Sequence, residues 1–358
     1  MPSLNWPDTL PAATEAAAWL AQALPGQPRV SGPHQILRAK PWGVVASFAV
    51  QAAQAPAETL IFKASHLPLF THASRIDRLL MRHSPGDTPQ LVAAHNGPSH
   101  CWHAYRHFSG TALEALGNPN AMAALAAQFG RVQARMAACP AEAFAGLPHS
   151  PVSALPAALA TVRQAVLEHH APDWQTAEQR APWGLPADLA RQLTDIEPQV
   201  AEWAAELQAG PWPQTLDHVD LHSQNAVQTA DGRFLIHDWE EACVGLPYFS
   251  LDRLLEDARE LDVQRGIVPP HWPSFTSPGE SVVRLAYLRA LPWGTLAERS
   301  RALDLALCLA PIKTLQESQV FAQAQGWRRS SHAQAASLLA KACARWQALV
   351  PANHLAAA

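Results

Sequence analysis

Two short strand-forming runs, Ala226-Val227-Gln228-Thr229 and Arg233-Phe234-Leu235-Ile236, frame the pair Asp231-Gly232. Asp-Gly between such runs is a strong hairpin signal, because the tight turn needs residues that accept positive φ. A hairpin closes on itself, so whatever stands at its two outer ends is brought together. Those ends are Asn225 and Asp238. In front of them, His218-Val219-Asp220-Leu221-His222-Ser223-Gln224-Asn225 carries another carboxylate, Asp220. The chain is thereby constrained to a loop, a hairpin and a return that carry two carboxylates and one amide. Phosphoryl transfer needs that set: one carboxylate to meet an attacking hydroxyl, and an amide oxygen with a second carboxylate to hold Mg²⁺ against nucleotide phosphates. Mg²⁺ prefers oxygen ligands and keeps several waters, so two protein oxygens plus phosphate are enough.

The stretch resembles the aminoglycoside phosphotransferase and choline kinase-like family, whose fold is that of the protein kinases. That family carries a His-x-Asp-(x)4-Asn loop followed by Asp-Trp-Glu; the matches here are His218, Asp220, Asn225 and Asp238-Trp239-Glu240. The resemblance implies an α+β, protein-kinase-like fold. Residues 1–108 would form a small β-rich nucleotide-binding lobe, and residues 109–358 a large, mainly helical catalytic and substrate-binding lobe. It implies an ATP-dependent (or GTP-dependent), Mg²⁺-requiring phosphotransferase acting on a hydroxyl of a small molecule such as an aminoglycoside, a sugar or an amino alcohol. Asp220 would be the catalytic base or hydroxyl-orienting group, and Asn225 and Asp238 the Mg²⁺ ligands. His218 would hold the loop by packing.

Lys63 is the candidate for the nucleotide phosphates. The chain has four lysines (Lys40, Lys63, Lys313, Lys341) among 26 basic residues, so a Lys closing the apolar strand Glu58–Ala64 stands out. A compact ammonium suits contact with phosphate; a strand-end Lys reaching to water is the plainer reading. In the family this lysine pairs with a helix glutamate. Here no Glu occurs between Glu58 and Glu114, and Asp77 is the nearest carboxylate on the following helix. Asp77 is a candidate to orient Lys63; an exposed helical Asp is an equal reading. A full G-x-G-x-x-G is absent, and Gly43, after Arg38-Ala39-Lys40-Pro41-Trp42, is the candidate for backbone approach to phosphate or else part of a plain turn. Tyr105 and His107, at the end of the Cys101–Phe108 run, are placed to offer backbone groups to adenine. Asp252 stands where the family tends to brace the catalytic loop from beneath, or where an acid would meet a helix dipole. Glu240 or Glu241, close to Asp238, are candidates to recognise a cationic acceptor.

Composition narrows the rest. A formal charge of −4 leaves no basic footprint for nucleic acid. Five scattered cysteines lack metal-clip or redox spacing, which points to a reducing compartment. No apolar run approaches the roughly 20 residues of a membrane span. The expectation is a cytoplasmic protein without membrane or nucleic-acid partners. The oligomeric state is not readable from the sequence.

Hydrophobic periodicity places strands at Val44–Val50, Glu58–Ala64, Gln90–Ala94 and Cys101–Phe108, with one helix at Phe70–His83, in the first third. Helices follow from Met122 to Met136, from Val152 to Val166 and from Leu189 to Leu207, the last with Pro198 inside and Gly210 as its stop. Others are placed at about Ser250–Val263, Ser281–Leu291, Ala297–Ala322 and His332–Leu349. Trp174, Trp183 and Trp212 lie near loops where a substrate pocket would need walls. Two other functions fit parts of the pattern. A metal-dependent hydrolase would use His218, Asp220, His222, His237 and Asp238 around a transition metal. A non-catalytic nucleotide-binding protein of kinase-like fold would explain the degenerate phosphate loop and the missing helix glutamate. The intact Asp220, Asn225 and Asp238 argue against both.

Overall fold

A computed structural model describes residues 5–51, 56–161, 189–270, 277–324, 341–342 and 344–345. Trp174, Trp183, the end of the Val152–Val166 stripe and most of the His332–Leu349 helix lie outside the described residues. The chain gathers into two compact units. The first comprises residues 1–115, 141–147 and 224–242; the second comprises 116–140, 148–223 and 243–358.

The first unit is built on a five-stranded antiparallel sheet in the order β1-β2-β3-β5-β4. Its strands are β1 (Arg29–Lys40), β2 (Gly43–Gln51), β3 (Glu58–Ser65), β4 (Leu91–Asn96) and β5 (Cys101–Arg106). Side chains alternate across a strand, and this alternation divides the sheet. Val44, Ala46, Phe48, Val50, Leu60, Phe62 and Ala64 are buried in one core with Trp102. Helix α1 (Ala13–Ala23) covers that face through Ala16, Ala17 and Leu20, while Trp6 stacks on Phe62 and Trp19 meets Trp102 edge-on. Val45, Ile61, Lys63 and Tyr105 belong to the opposite face, because Val45 pairs with Lys63 and Ile61 with Tyr105.

The first third therefore holds more than the one helix expected. α1 escapes a periodicity reading because Ala supplies most of its buried stripe and only Leu20 is large. Strand β1 escapes it because Gly32 and Pro33 interrupt it. It survives as an edge strand, with irregular register against β2 between Val30 and Pro33, Pro33 and Gln35, and Ile36 and Arg38. Helix α2 (Ala73–His83) starts later than Phe70, because Pro68–Phe70 forms a separate 3₁₀ turn.

The Asp231-Gly232 hairpin forms as the sequence demands. Strands β8 (Ala226–Gln228) and β9 (Phe234–Ile236) pair antiparallel, with Gly232 at φ +81° and the short strand β6 (Thr111–Ala112) on the outer edge. The second unit is mainly helical: α4 (Pro119–Ala137), α5 (Leu189–Ala209, Pro198 inside), α6 (Leu251–Gln264), α7 (Pro278–Ala290) and α8 (Leu296–Ala324), after the short α3 (Leu113–Leu116) at the boundary. Phe129 of α4 stacks on Tyr287 of α7, and Gly130 lets the two helices approach. The strand pair β7 (Thr215–Asp217) and β10 (Cys243–Gly245) lies in the same unit. Among the described residues no helix is long and apolar enough to cross a membrane.

Candidate active site

A cavity of about 340 Å³ opens in the first unit, a size ordinary for a small-molecule site. Val45, Ile61 and Phe108 give it apolar walls; Lys63, Asp77, Tyr105, His107, His237 and Asp238 give it polar groups. The hairpin supplies its ionic end. His237 N–H donates to the Asn225 carbonyl at 3.0 Å, so the two outer ends of the hairpin are tied together, and Asn225 is buried. Asp238 takes a left-handed conformation at φ +64°, a cost a bulky residue avoids unless its surroundings impose it. Its carboxylate pairs with Lys63 and lies 3.3 Å from His237 Nδ1. Burial works against the ionised form of Asp238, but Lys63 and His237 outweigh it and hold the carboxyl well below its usual range.

Lys63 Nζ also lies 3.0 and 3.1 Å from the two carboxylate oxygens of Glu240. Burial opposes its charge; Asp238 and Glu240 more than restore it, and its pKa is raised. Across the ladder from Lys63 stands His103, whose burial and neighbouring Lys63 push it down to about 3, so it is neutral. His103 Nε2 lies 3.3 Å from Asn96 Oδ1. It is a buried, hydrogen-bonded core histidine. His100 instead packs in a ring cluster with His95 and Trp102.

Asp77 is not an exposed helical acid. It is 3% exposed, and its Oδ2 accepts a hydrogen bond from Tyr105 Oη at 2.7 Å. Burial pushes its carboxyl up to about 7, partly opposed by the Tyr105 bond and Lys63, with Glu240 adding to the rise. Tyr105 and His107 both line the cavity. The amides of Arg106 and His107 are engaged in the fold, donating to Gln90 O at 2.9 Å and Thr59 O at 3.1 Å. Gly43 lies outside the lining; a Cβ there would come 2.7 Å from the Ala64 carbonyl, so the β2–β3 pairing already requires a glycine.

Asp220 belongs to the second unit, on a loop braced from several sides. Asp217 Oδ1 accepts from Val219 N–H at 3.0 Å and from Ser250 Oγ at 2.5 Å, and Ser250 Oγ accepts from His218 N–H at 2.9 Å. Val219 sits at φ +68°, and Asp220 N–H turns back to the His218 carbonyl at 2.8 Å. A β-branched residue in the left-handed region costs about 1–2 kcal/mol. Hydrogen bonds to a charged acceptor, at about 1.5–3 kcal/mol each, offset it. Lys313 of α8 completes the brace, 2.9 Å from Asp217 Oδ2 and almost wholly buried. The buried Gln133 fixes the strand before the loop by donating to Leu216 O and accepting from Thr215 Oγ1 and Tyr287 Oη. Asp220 itself lies 2.5 Å from Arg253 Nη1 and 3.4 Å from His222 Nε2. Burial favours its neutral form, yet the hydrogen bond from His222 and the charge of Arg253 hold its carboxyl below the usual range. His218 is fully buried. Asp252 is buried in the first turn of α6, where it pairs with Lys341 and Arg345. The brace is Asp217, Ser250 and Lys313. The signals in the sequence were slight: an acid directly before His218, and a lone Lys in the apolar stretch from Leu305 to Leu315.

Trp212 packs edge-on against Tyr248, at 5.4 Å between rings. Among the described residues no three His, Cys, Asp or Glu side chains converge as a metal cluster. The hydrolase reading is left with sequence spacing alone.

Residues 43–267, more than half the chain, match the family described as the phosphotransferase enzyme family, and the chain belongs to that family. Solved structures give the same class of fold, that of the kinase-like phosphotransferases. An aminoglycoside phosphotransferase from Alicyclobacillus acidocaldarius is 15% identical, with 97% of this chain and 96% of that one covered at a TM-score of 0.56. A choline kinase from Cryptosporidium parvum is 12% identical over 96% and 97% of the two chains, at a TM-score of 0.58. A thermostable mutant of aminoglycoside phosphotransferase APH(4)-Ia, in ternary complex with AMP-PNP and hygromycin B, is 16% identical over 93% and 99%, at 0.51. No curated protein matches the sequence.

Proposed function

We propose that this chain is an ATP- and Mg²⁺-dependent phosphotransferase that phosphorylates a hydroxyl of a small molecule. The observation that carries the reading is the ionic end of the cavity, where Lys63 meets Asp238 beside the buried Asn225 on a hairpin. The donor set is an amide oxygen and a strongly acidic carboxylate, hard oxygens that fit Mg²⁺. Asn225 and Asp238 would hold that ion, and bound there it would neutralise charge on the phosphates. Lys63 releases Asp238 and turns its ammonium to the nucleotide phosphates, as a point charge suited to them. The apolar walls of Val45, Ile61 and Phe108 suit a flat nucleobase. Asp220, ionised at neutral pH, orients the acceptor hydroxyl and receives its proton; His222 and Arg253 keep it ionised. Its lowered pKa makes it a weak base, so its contribution is mostly alignment. The family and an AMP-PNP complex among the solved structures of this fold support the nucleotide. The acceptor classes that fit are those named for the relatives: aminoglycosides and amino alcohols such as choline.

The test is a calorimetric titration of Mg-ATP into wild type and Lys63→Ala at matched salt. The expected outcome is weaker binding by the variant, together with a lower melting temperature without ligand because Asp238 and Glu240 lose their counter-ion, and incomplete rescue by Lys63→Arg, whose broader fork cannot occupy the same point. Equal affinities would remove Lys63 from the site.

A further inference from the structure

Lys63 lacks a glutamate on the helix that follows it. Within α2, Ala73–His83, the one carboxylate is Asp77, and its hydrogen bond comes from Tyr105 Oη at 2.7 Å. Two carboxylates do meet the Lys63 ammonium, and both come from the Asp-Trp-Glu segment: Asp238, and Glu240 at 3.0 and 3.1 Å through its two oxygens. These two have different prospects once the site is in use. A carboxylate that ligates a divalent cation has its charge drawn to that cation and is no longer a standing partner for an ammonium. Asp238 is the residue read as the metal ligand. Glu240 is then the anion left to hold Lys63 in place. It sits in a 3₁₀ turn whose Trp239 is buried and anchored by Nε1 donating to the Ile236 carbonyl at 2.8 Å. Glu240 is thus attached to a rigid support, and its side chain is 27% exposed, while Lys63 is 17% exposed.

We propose that Glu240 is the positioning residue for Lys63, supplying from the turn behind Asp238 the anion that the helix lacks. This rests on the reading that Lys63 meets nucleotide phosphates. It reassigns Glu240 from acceptor recognition to nucleotide binding. It also makes the orientation of Lys63 independent of α2, because metal ligand and lysine partner are carried by one three-residue segment.

The test is a double-mutant cycle on Mg-ATP affinity with the full chain: wild type, Lys63→Met, Glu240→Gln and the double variant. If Glu240 acts through Lys63, each single change weakens Mg-ATP by about 10-fold and the double variant is also about 10-fold weaker, not about 100-fold. A merely structural role would lower affinity in both backgrounds alike. Multiplying effects, or a Glu240→Gln affinity equal to or tighter than wild type, would overturn the proposal. Should Glu240→Gln fail to fold, Glu240→Asp, which keeps the charge and shortens the reach, carries the same expectations. Wild type that does not bind Mg-ATP at all would overturn the phosphotransferase reading, an outcome distinct from those two.

Discussion

Asp77 shows how far one residue's chemistry departs from what its place in the sequence suggests. A carboxyl on an amphipathic helix is ordinarily ionised and solvated; this one is buried against Tyr105, with Lys63, Glu240 and Arg78 as the charges that act on it, and its pKa is pushed up to about 7. In the unfolded chain it ionises near 4. Between those two values the unfolded state gives up the proton and the folded state keeps it, so stability falls as pH rises from about 4 to about 7 and then levels off. Asp77→Asn removes that penalty and keeps an acceptor for Tyr105. Its melting temperature is expected to exceed that of wild type at pH 8 and to match it near pH 4, with at most about 4 kcal/mol between the two limits. Melting curves across that range check it, and a variant less stable than wild type at pH 8 would refute it. Residue identity alone took the reading some distance here. Lys63 was visible because lysine is rare in this chain and this one ends an apolar strand. Its partners were not, because Glu240 stands 177 positions away and only the fold joins them.

At the scale of elements, the loop that carries Asp220 owes its shape to groups outside it. Lys313 pairs with both Asp217 and Glu317, and removing a buried ion's partner leaves its charge uncompensated, at about 3–5 kcal/mol. Lys313→Met is therefore expected to destabilise the chain by that amount and to lower turnover through Asp220, while Lys313→Arg recovers part of both. Denaturant unfolding and turnover measured on the same samples would show it; a stable, fully active Lys313→Met would contradict the brace. The hairpin was legible because Asp-Gly between strand-forming runs leaves few other structures. Helices α4 to α8 were legible because their apolar stripes repeat over three turns or more. Strand β1 and helix α1 were not: one contains Gly32 and Pro33, the other buries mostly Ala, and both form because the sheet supplies partners. Long-range braces such as Asp217 to Ser250 and Gln133 to Leu216 leave no local pattern at all.

For the whole molecule, the match to the phosphotransferase enzyme family gives the class of chemistry, and the three residues proposed for it, Asp220, Asn225 and Asp238, carry the central claim. Ligands that bind only the native state stabilise it by mass action, so Mg-ATP is expected to raise the melting temperature, and Asp238→Ala to abolish the metal-dependent part. A shift that EDTA leaves unchanged would separate nucleotide binding from Asn225 and Asp238. The measurement closest to the claim is transfer itself: wild type and Asp220→Asn incubated with Mg-ATP and a panel of aminoglycosides, sugars and amino alcohols, reading phosphate carried to the acceptor. The account expects an acceptor to be phosphorylated by wild type, and Asp220→Asn to lose about 10²–10⁴ in rate with Mg-ATP affinity unchanged. Transfer by Asp220→Asn at the wild-type rate would contradict it.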